Sequence, residues 1–488
     1  MKHAVPAALL LLFALPGIAS AQSLRLVDTA IVEYRGDNEN AEEGDDDYGL
    51  ALNKLYLNGQ YEATTVGLQV DASLFSRYPD LGIRSPSSHA DDARLERIQV
   101  AHRFENATVT LGDAHQQLGR GLVLSLRKVD ELGTDQALRG GAVRYDGEGF
   151  AANAFGGVVN IANMDGVTQK FLQDPNDLLV GGSATAFIGN AALSVHGIYL
   201  QPRTPQSPQF DDDQTVVGGA YLDLPLTDWL SLYAEGAASE ARTVGRTVPG
   251  KAAYLAADVD LQVVSLLVEG LLLDEFRVWG SNNELLIRQH AYNQPPTLER
   301  VDQEVLDNEN VRGGRMKVSR GFLDGDLLVY VNGVLRRYGT EQNTTDAVHG
   351  YGGFEYSYDL GQSRWYLSGG WRQETRTVDD DPMKTMAHAE TDWVQAIGGG
   401  WAVHLVVNHE ERTLQEVDRK RYRRGSTLVG FDRFGLGSLM AEIGYDTENP
   451  QTRDLYLAGI VAWELTHEVL LRGVVGSQRG GLKCIGGI

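Results

Sequence analysis

Residues 229–240 read Trp229-Leu230-Ser231-Leu232-Tyr233-Ala234-Glu235-Gly236-Ala237-Ala238-Ser239-Glu240, an alternation of two kinds of side chain. Leu230, Leu232, Ala234, Gly236 and Ala238 form an apolar set, opposite Ser231, Tyr233, Glu235 and Ser239. A period of two over this length predicts a β-strand with one apolar face. The polar residues of the second face favour a wet interior over the packed core of a sandwich.

The same alternation returns along the chain from Leu24 almost to the end, in segments of about 8–14 residues. Strands that span an outer membrane need ~9–11 tilted residues, with short turns on the periplasmic side and long ones outside. Here too, tight connections alternate with long polar ones. The sequence therefore predicts an all-β fold, a large antiparallel transmembrane β-barrel of about 22–24 strands. The predicted tight turns are Glu62-Ala63, Glu105-Asn106, Gly147-Glu148, Gly189-Asn190, Thr227-Asp228, Gln262-Val263, Asp324-Gly325, Gly361-Gln362, Gly398-Gly399, Gly435-Leu436 and Thr466-His467.

The N-terminus has the features of a secretory signal peptide. Lys2 and His3 precede an apolar run that Pro16-Gly17 interrupts, and Ala19-Ser20-Ala21 matches a small-x-small cleavage site. We therefore expect a signal peptide over residues 1–21 and a single barrel domain over residues 22–488. A retained membrane helix is the alternative, but it needs ~20 apolar residues. Export without a second apolar helix, together with the strand pattern, predicts location in the outer membrane of a Gram-negative cell, in contact with its lipid.

The charge balance limits the partners. The formal net charge is −23, so nucleic acid is not an expected partner, because phosphate binding needs a basic surface. Acidic runs such as Glu42–Asp47 and Asp211–Asp213 are interpreted as solvated loops, with divalent-cation binding as the sharper alternative. No run has the spacing of a calcium loop, and the sequence predicts no metal site and no cofactor.

The C-terminal end predicts an incomplete barrel. The last readable segment, near residues 468–476, would run outward, whereas single-chain bacterial barrels have an even number of strands. The lone Cys484 and the absence of a terminal aromatic residue point the same way. We expect this chain to lack its closing C-terminal strand.

One segment interrupts the alternation. Residues 111–141 combine closely spaced glycines with acidic and basic side chains. We predict that this segment folds into the lumen and lines a constriction, because facing charges in a narrow channel select ions. An external loop or two ordinary strands is the alternative. In the predicted constriction Arg120, Arg127, Lys128 and Arg139 face Asp113, Asp130, Glu131 and Asp135 across the pore.

A barrel this wide has a lumen that something must fill or gate. The candidates are the in-folded segment, taken as residues 116–137, and the long loop of residues 277–310, which contains Pro295-Pro296.

Two short patches carry a resemblance to a family. Leu111-Gly112-Asp113, Gly119-Arg120-Gly121-Leu122, Leu124-Ser125-Leu126-Arg127-Lys128 and Leu138-Arg139-Gly140, with the tail Arg479–Gly487, resemble motifs of uncharacterised porin-like outer-membrane proteins of Gram-negative bacteria. The resemblance covers about a tenth of the chain. It implies outer-membrane location and barrel architecture but no reaction. The chain departs from the family in ending before a second cysteine and a closing strand.

The predicted function is that of a porin-like channel for passive diffusion of small polar solutes or ions. The alternative is a structural sheath that houses a separate periplasmic or exported partner protein. An enzyme is not expected, since Gly-x-Ser-x-Gly, His-Glu-x-x-His and Cys-x-x-Cys-His are all absent. His404 and His409 should point to opposite faces of their strand, so we predict no catalytic residues.

Overall fold

The computed structural model is an all-β protein. It describes residues 23–36, 47–76, 92–129, 134–163, 174–203, 213–243, 246–283, 288–299, 310–340, 343–377, 381–414, 420–448 and 454–479. The predicted signal peptide, most of the C-terminal tail including Cys484, and both Asp130 and Glu131 lie outside these residues. Among the described residues, no helix reaches the length and hydropathy of a membrane span.

The described residues form 28 strands, including the short strands of two inserted segments, and this confirms the all-β prediction. They are β1 (Ser23–Arg35), β2 (Tyr48–Tyr61), β3 (Thr64–Phe75), β4 (Asp92–Arg103), β5 (Ala107–Ala114), β6 (Gln116–Leu118), β7 (Leu124–Leu126), β8 (Lys128–Val129), β9 (Thr134–Asp146), β10 (Phe150–Ile161), β11 (Leu178–Ile188), β12 (Ala191–Gln201), β13 (Gln214–Thr227), β14 (Leu230–Thr243), β15 (Arg246–Asp260), β16 (Ser265–Asp274), β17 (Trp279–Asn283), β18 (Arg288–Ala291), β19 (Val311–Phe322), β20 (Leu327–Thr340), β21 (Asn343–Tyr358), β22 (Ser363–Arg376), β23 (Asp381–Gly398), β24 (Trp401–Leu414), β25 (Lys420–Arg433), β26 (Gly437–Asp446), β27 (Leu455–Thr466) and β28 (Val469–Gly476).

In the described part of the chain, one antiparallel sheet of 24 strands makes up the barrel wall. It contains β1–β5, β8–β16 and β19–β28, and apart from the two-residue β8 each strand pairs with the next wall strand along the chain. The strand number lies within the predicted 22–24. Within the described residues no ladder joins β1 to β28, so the ring is not closed there.

The two faces of the wall differ in the way that the alternation predicts. On β13–β15 the apolar Leu226, Leu232 and Leu255 are 48%, 37% and 58% exposed, whereas Tyr233 and Tyr254 are 6% and 1% exposed. We call the face with exposed apolar side chains the outer face, and the opposite one the inner face. Exposed apolar and buried polar residues reverse the usual order of a water-soluble protein.

All eleven predicted tight turns connect consecutive strands. Four connections that the polar composition predicts to be long, at residues 241–249, 339–346, 377–390 and 411–423, are shorter than predicted. The ladders of β14–β15, β20–β21, β22–β23 and β24–β25 extend through these residues. Arg337 and Asp346, for example, face each other across β20 and β21 and form an ion pair. Such cross-strand polar pairs continue a ladder beyond the apolar band, where composition resembles that of a loop.

The expectation of a wet interior is wrong for part of the wall. On the inner face of β10–β13, Val159, Leu179, Leu200 and Val217 are at most 2% exposed. They belong to one apolar cluster with residues of two inserted segments, described below. These segments cover the wall there and exclude water from it.

A candidate passage lined by two inserted segments

The first insert comprises residues 115–129, between β5 and β9. Its β6 and β7 form a small hairpin in which Gln116 pairs with Leu126 and Leu118 with Leu124. Leu122, Val123, Leu124 and Leu126 are all 0% exposed and contribute to the apolar cluster on the inner face. The insert is therefore packed against the wall by its leucines.

The turn Gly119-Arg120-Gly121 docks this insert on β14. The Arg120 amide donates to Glu235 Oε2 at 3.0 Å, and the Tyr233 hydroxyl donates to the same oxygen at 2.8 Å. Gly119 has φ +53°, and a Cβ there would lie 2.3 Å from Glu235 Oε1. Gly121 has φ +87°, and its Cβ would lie 2.5 Å from the Gln294 carbonyl oxygen. Both glycines of the motif are required by left-handed backbone and by close approach.

The Arg120 side chain packs on two tyrosines of the inner face. Its guanidinium carbon lies 4.1 Å from the centre of the Tyr233 ring and 5.6 Å from that of Tyr254. Nη1 donates to the Tyr254 hydroxyl at 3.3 Å, and that hydroxyl donates to Glu269 Oε1 at 2.6 Å. The Arg120 guanidinium is therefore held by the faces of the two tyrosine rings, on a part of the wall that also carries Glu235 and Glu269.

The second insert comprises the described residues 276–283 and 288–299, between β16 and β19, with the short hairpin β17–β18. It hydrogen-bonds the first insert through main chain, from Ser125 N to the Tyr292 carbonyl at 2.8 Å and from Gln294 N to the Gly121 carbonyl at 2.9 Å. Asn293 Nδ2 also donates to the Leu122 carbonyl, at 3.2 Å. The two inserts therefore form one packed unit on the inner face.

Asp177 anchors the second insert. This carboxylate is 0% exposed and accepts from Ser281 N at 2.7 Å, from the Tyr292 hydroxyl at 2.6 Å, from Arg203 N at 2.6 Å and from the Ser281 hydroxyl. Burial, and then the adjacent Asp177, raise the pKa of Tyr292 well above its usual value. The Tyr292 hydroxyl therefore remains a donor at any physiological pH.

A second buried carboxylate fixes the end of the same insert. Glu299 Oε2 lies 2.7 Å from His349 Nδ1 on β21, and Glu299 Oε1 lies 3.9 Å from Arg372 Nη1 on β22. His349 Nε2 in turn lies 2.9 Å from His388 Nε2 on β23. The second insert thus bridges from the β10–β13 side of the wall to the β21–β23 side.

The eight predicted constriction residues separate into groups. Arg139 forms an ion pair with Asp113 at 3.1 Å, and the Asp113 carboxylate also accepts a hydrogen bond from Ile98 N on β4. Lys128 is the strand partner of Asp135. Asp135 contacts Arg97 at 3.4 Å and His115 at 3.0 Å. Their opposition across an opening stays a prediction, and Asp130 and Glu131 lie outside the described residues.

Arg120, Arg127 and Lys128 are the predicted cations of the first insert, and all three are exposed. Arg127 Nε donates to Gln294 Oε1 at 3.1 Å, so the second insert orients this side chain. Arg120 instead packs on Tyr233 and Tyr254 of the wall. The two arginines therefore have different neighbours: Arg120 contacts the wall, and Arg127 contacts the second insert.

Ion pairs also line the inner face of β22–β25. Glu374 contacts Arg372 at 2.9 Å and Lys384 at 4.0 Å, and Glu410 contacts Arg412 and Arg424, both at 2.6 Å. These side chains give the inner face of β22–β25 a charged character that the apolar cluster on β10–β13 lacks.

The residues that hold the inserts, namely Glu235, Asp177 and Glu299, could not be identified from the sequence. Each carboxylate sits in an unremarkable strand or loop, and no local pattern marks it. The two glycines around Arg120 were the available signal, since a Gly-x-Gly turn inside a leucine-rich stretch implies close backbone approach.

The two histidines of β24 point apart, as predicted. His404 Nε2 contacts Asp392 on β23 at 2.9 Å, whereas His409 bonds the Tyr445 hydroxyl on β26. Within the described part of the chain, no cluster of three or more His, Cys, Asp or Glu side chains is arranged to hold a metal ion.

Comparisons with known proteins find similarity only among solved structures. No family model and no curated protein matches the chain. A BenF-like porin from Pseudomonas fluorescens Pf-5 is 10% identical, with 76% of this chain and 97% of that one covered and a TM-score of 0.42. OpdK from Pseudomonas aeruginosa, solved with vanillate, is 11% identical over 80% and 99%, with a TM-score of 0.44. OccAB1 from Acinetobacter baumannii is 10% identical over 73% and 93%, with a TM-score of 0.41.

Proposed function

We propose that the protein is a porin-like channel of the outer membrane, through which small polar solutes or ions diffuse passively. The observation that carries this proposal is the reversed exposure of the wall, with Leu335 and Val331 each 64% exposed on the outer face while Arg336 is 4% exposed on the inner face. Lipid contacts the apolar side chains of the outer face, and the ladders between strands provide the backbone hydrogen bonds that a bilayer cannot. Solute passage needs no cofactor.

The passage runs beside the inserts, with the charged inner face of β24–β25 on its other side. The inserts narrow the barrel on the β9–β20 side, and Arg127, Lys128 and Asp135 supply charges at the resulting constriction. The ion pair of Asp113 and Arg139 stabilises the wall at the base of the constriction, and Arg120 holds the first insert in place. Charges in a narrow, partly dehydrated opening set ion preference.

The sheath alternative has less support. A sheath needs an inner face free to receive a partner, but the described inner face of β10–β16 is covered by the chain's own leucines and tyrosines. Solute diffusion requires no such partner.

The experiment is single-channel recording of purified protein in planar bilayers, comparing wild type with Arg127→Ala/Lys128→Ala. Two charges are removed, and one unit charge at 4 Å contributes about 1 kcal/mol in water, so we expect a change in the anion-to-cation permeability ratio of up to about fivefold per charge. Lys251→Ala is the matched control, because Lys251 is 68% exposed at its side chain and lies on the outer face.

Unchanged conductance and ion preference in the double variant would contradict the constriction. Absence of any channel activity in the wild type would contradict the proposed function itself.

A further inference from the structure

Four consecutive tight turns at one end of the wall, between β19 and β26, carry large apolar side chains. Leu360 is 102% exposed and Phe434 95%, while Leu323 and Ile397 are 60% and 59% exposed. Neighbouring strands are ~4.8 Å apart, so successive turns of this kind lie ~10 Å from each other. Together these tips form an apolar rim, which we call the turn rim.

The tips are fixed in their exposed positions. In the β21–β22 turn, Asp359 Oδ2 accepts from the Ser363 hydroxyl at 2.8 Å and from Gln395 Nε2 at 3.2 Å. The Phe434 amide donates to the Gly400 carbonyl of the neighbouring turn at 2.9 Å. The exposure of both tips is therefore a property of ordered turns.

The turns themselves do not require leucine. Leu323 and Leu360 have φ of 53° and 57°, a left-handed conformation that glycine or asparagine adopts with less strain. A strained leucine that is at least 60% exposed gains little from burial within the protein, so its benefit has to come from what surrounds the rim.

An aromatic belt lies next to the turn rim. Trp365 is directly opposite Trp393, whose indole N–H donates to the Tyr358 hydroxyl at 2.9 Å. Trp401 is opposite Arg433, with the guanidinium carbon 5.1 Å from the ring centre. Tryptophan and tyrosine favour the boundary between hydrocarbon and water, so this belt marks the level of that boundary.

The tips are close enough to the belt to remain in the lipid layer. Leu360 is two residues beyond Tyr358, and Phe434 is one residue beyond Arg433. At ~3.3 Å per residue the tips extend no more than about 7 Å past the belt. The headgroup layer on each side of the hydrocarbon is about 5–7 Å thick.

We propose that the turn rim inserts Leu323, Leu360 and Phe434 into the phospholipid headgroup layer and anchors this end of the barrel there. The carboxylates of Asp324, Asp326 and Asp359 beside the tips favour zwitterionic headgroups, which carry an ammonium group, over anionic ones. This inference rests on the proposed function, because it requires a barrel that spans a bilayer.

The test measures the depth of single spin labels in phosphatidylcholine vesicles containing only the purified protein. Labels are placed at Leu360→Cys and Phe434→Cys in a Cys484→Ser background, since Cys484 is the only cysteine. Val331→Cys on the outer face provides the hydrocarbon reference, and Arg203→Cys, exposed at the opposite end, provides the aqueous reference. Collision rates with oxygen and with a polar nickel chelate are recorded for each label.

We expect the nickel collision rate at 360 and 434 to be at least threefold lower than at 203, with an oxygen-to-nickel ratio between the two references. Aqueous values at 360 and 434, with a hydrocarbon value at 331, would overturn the anchor and leave the channel intact. An aqueous value at 331 would instead overturn the membrane-spanning barrel.

Discussion

Gly119 and Gly121 are the residues at which the first insert approaches its neighbours most closely, Gly119 against Glu235 of the wall and Gly121 against Gln294 of the second insert. Replacing either by alanine would put a Cβ 2.3 Å from Glu235 Oε1 or 2.5 Å from the Gln294 carbonyl oxygen, in a left-handed backbone. We expect each substitution to weaken docking of the insert by about 1–3 kcal/mol. Hydrogen exchange at the Arg120 amide, which donates to Glu235, should become correspondingly faster.

Gly218→Ala is the matched control for this prediction. It adds the same methyl group to wall strand β13, where nothing lies within 4 Å of the new Cβ. Equal exchange rates at Arg120 in all three variants would show that the close approach does not hold the insert.

At the scale of elements, the two inserts behave as one packed unit whose stability comes from its leucines. Leu124 is 0% exposed, and truncating a buried leucine to alanine costs about 2–5 kcal/mol. We expect Leu124→Ala to open the inserts locally while the wall stays folded, because the wall keeps its own ladders. Since cleavage follows the population of the open form, a protease should cut within residues 115–129 and 276–299 at least about thirtyfold faster.

Leu335→Ala serves as the comparison at this scale. Leu335 is the same residue type, but it is 64% exposed on the outer face and touches neither insert. If both variants were cleaved at the wild-type rate, the leucine cluster would not be what keeps the inserts in place.

The elements also show what could be read from the sequence. Strands and tight turns were predictable because a period of two and the Gly, Asn and Asp of hairpin turns are local signals. The ends of the strands at β14–β15 and β20–β23 were not predictable, because a polar residue gives the same sequence signal in a ladder as in a loop. The break in alternation at residues 111–141 was visible, but Glu235 and Asp177, which hold the inserts, contact residues more than a hundred positions away.

At the scale of the whole molecule, lipid contact of the outer face governs stability. Val331 is 64% exposed on β20, five residues into a strand of 14, and an arginine on a lipid-facing wall costs up to about 2–4 kcal/mol, with the highest cost at the midplane. We expect Val331→Arg to lower the free energy of unfolding by this amount, measured by reversible urea unfolding in phosphatidylcholine vesicles.

Gln69→Arg adds the same charge to the inner face. Gln69 hydrogen-bonds Asp71 at 2.9 Å, so the new arginine acquires an acidic neighbour and should cost less than 1 kcal/mol or so, as for exposed ion pairs. Equal costs at both positions would mean that the two faces meet the same solvent.

The buried carboxylate Asp177 also constrains the order in which the chain assembles. It joins the connection after β10 to Tyr292, 115 residues later, and Arg120 reaches Glu235 across the same separation. Neither contact can form until its later partner has been synthesised and exported, yet both contacts lie on the inner face of the wall. We therefore expect the inserts to pack on the inner face while the sheet is still open, so that the wall curves around them during assembly.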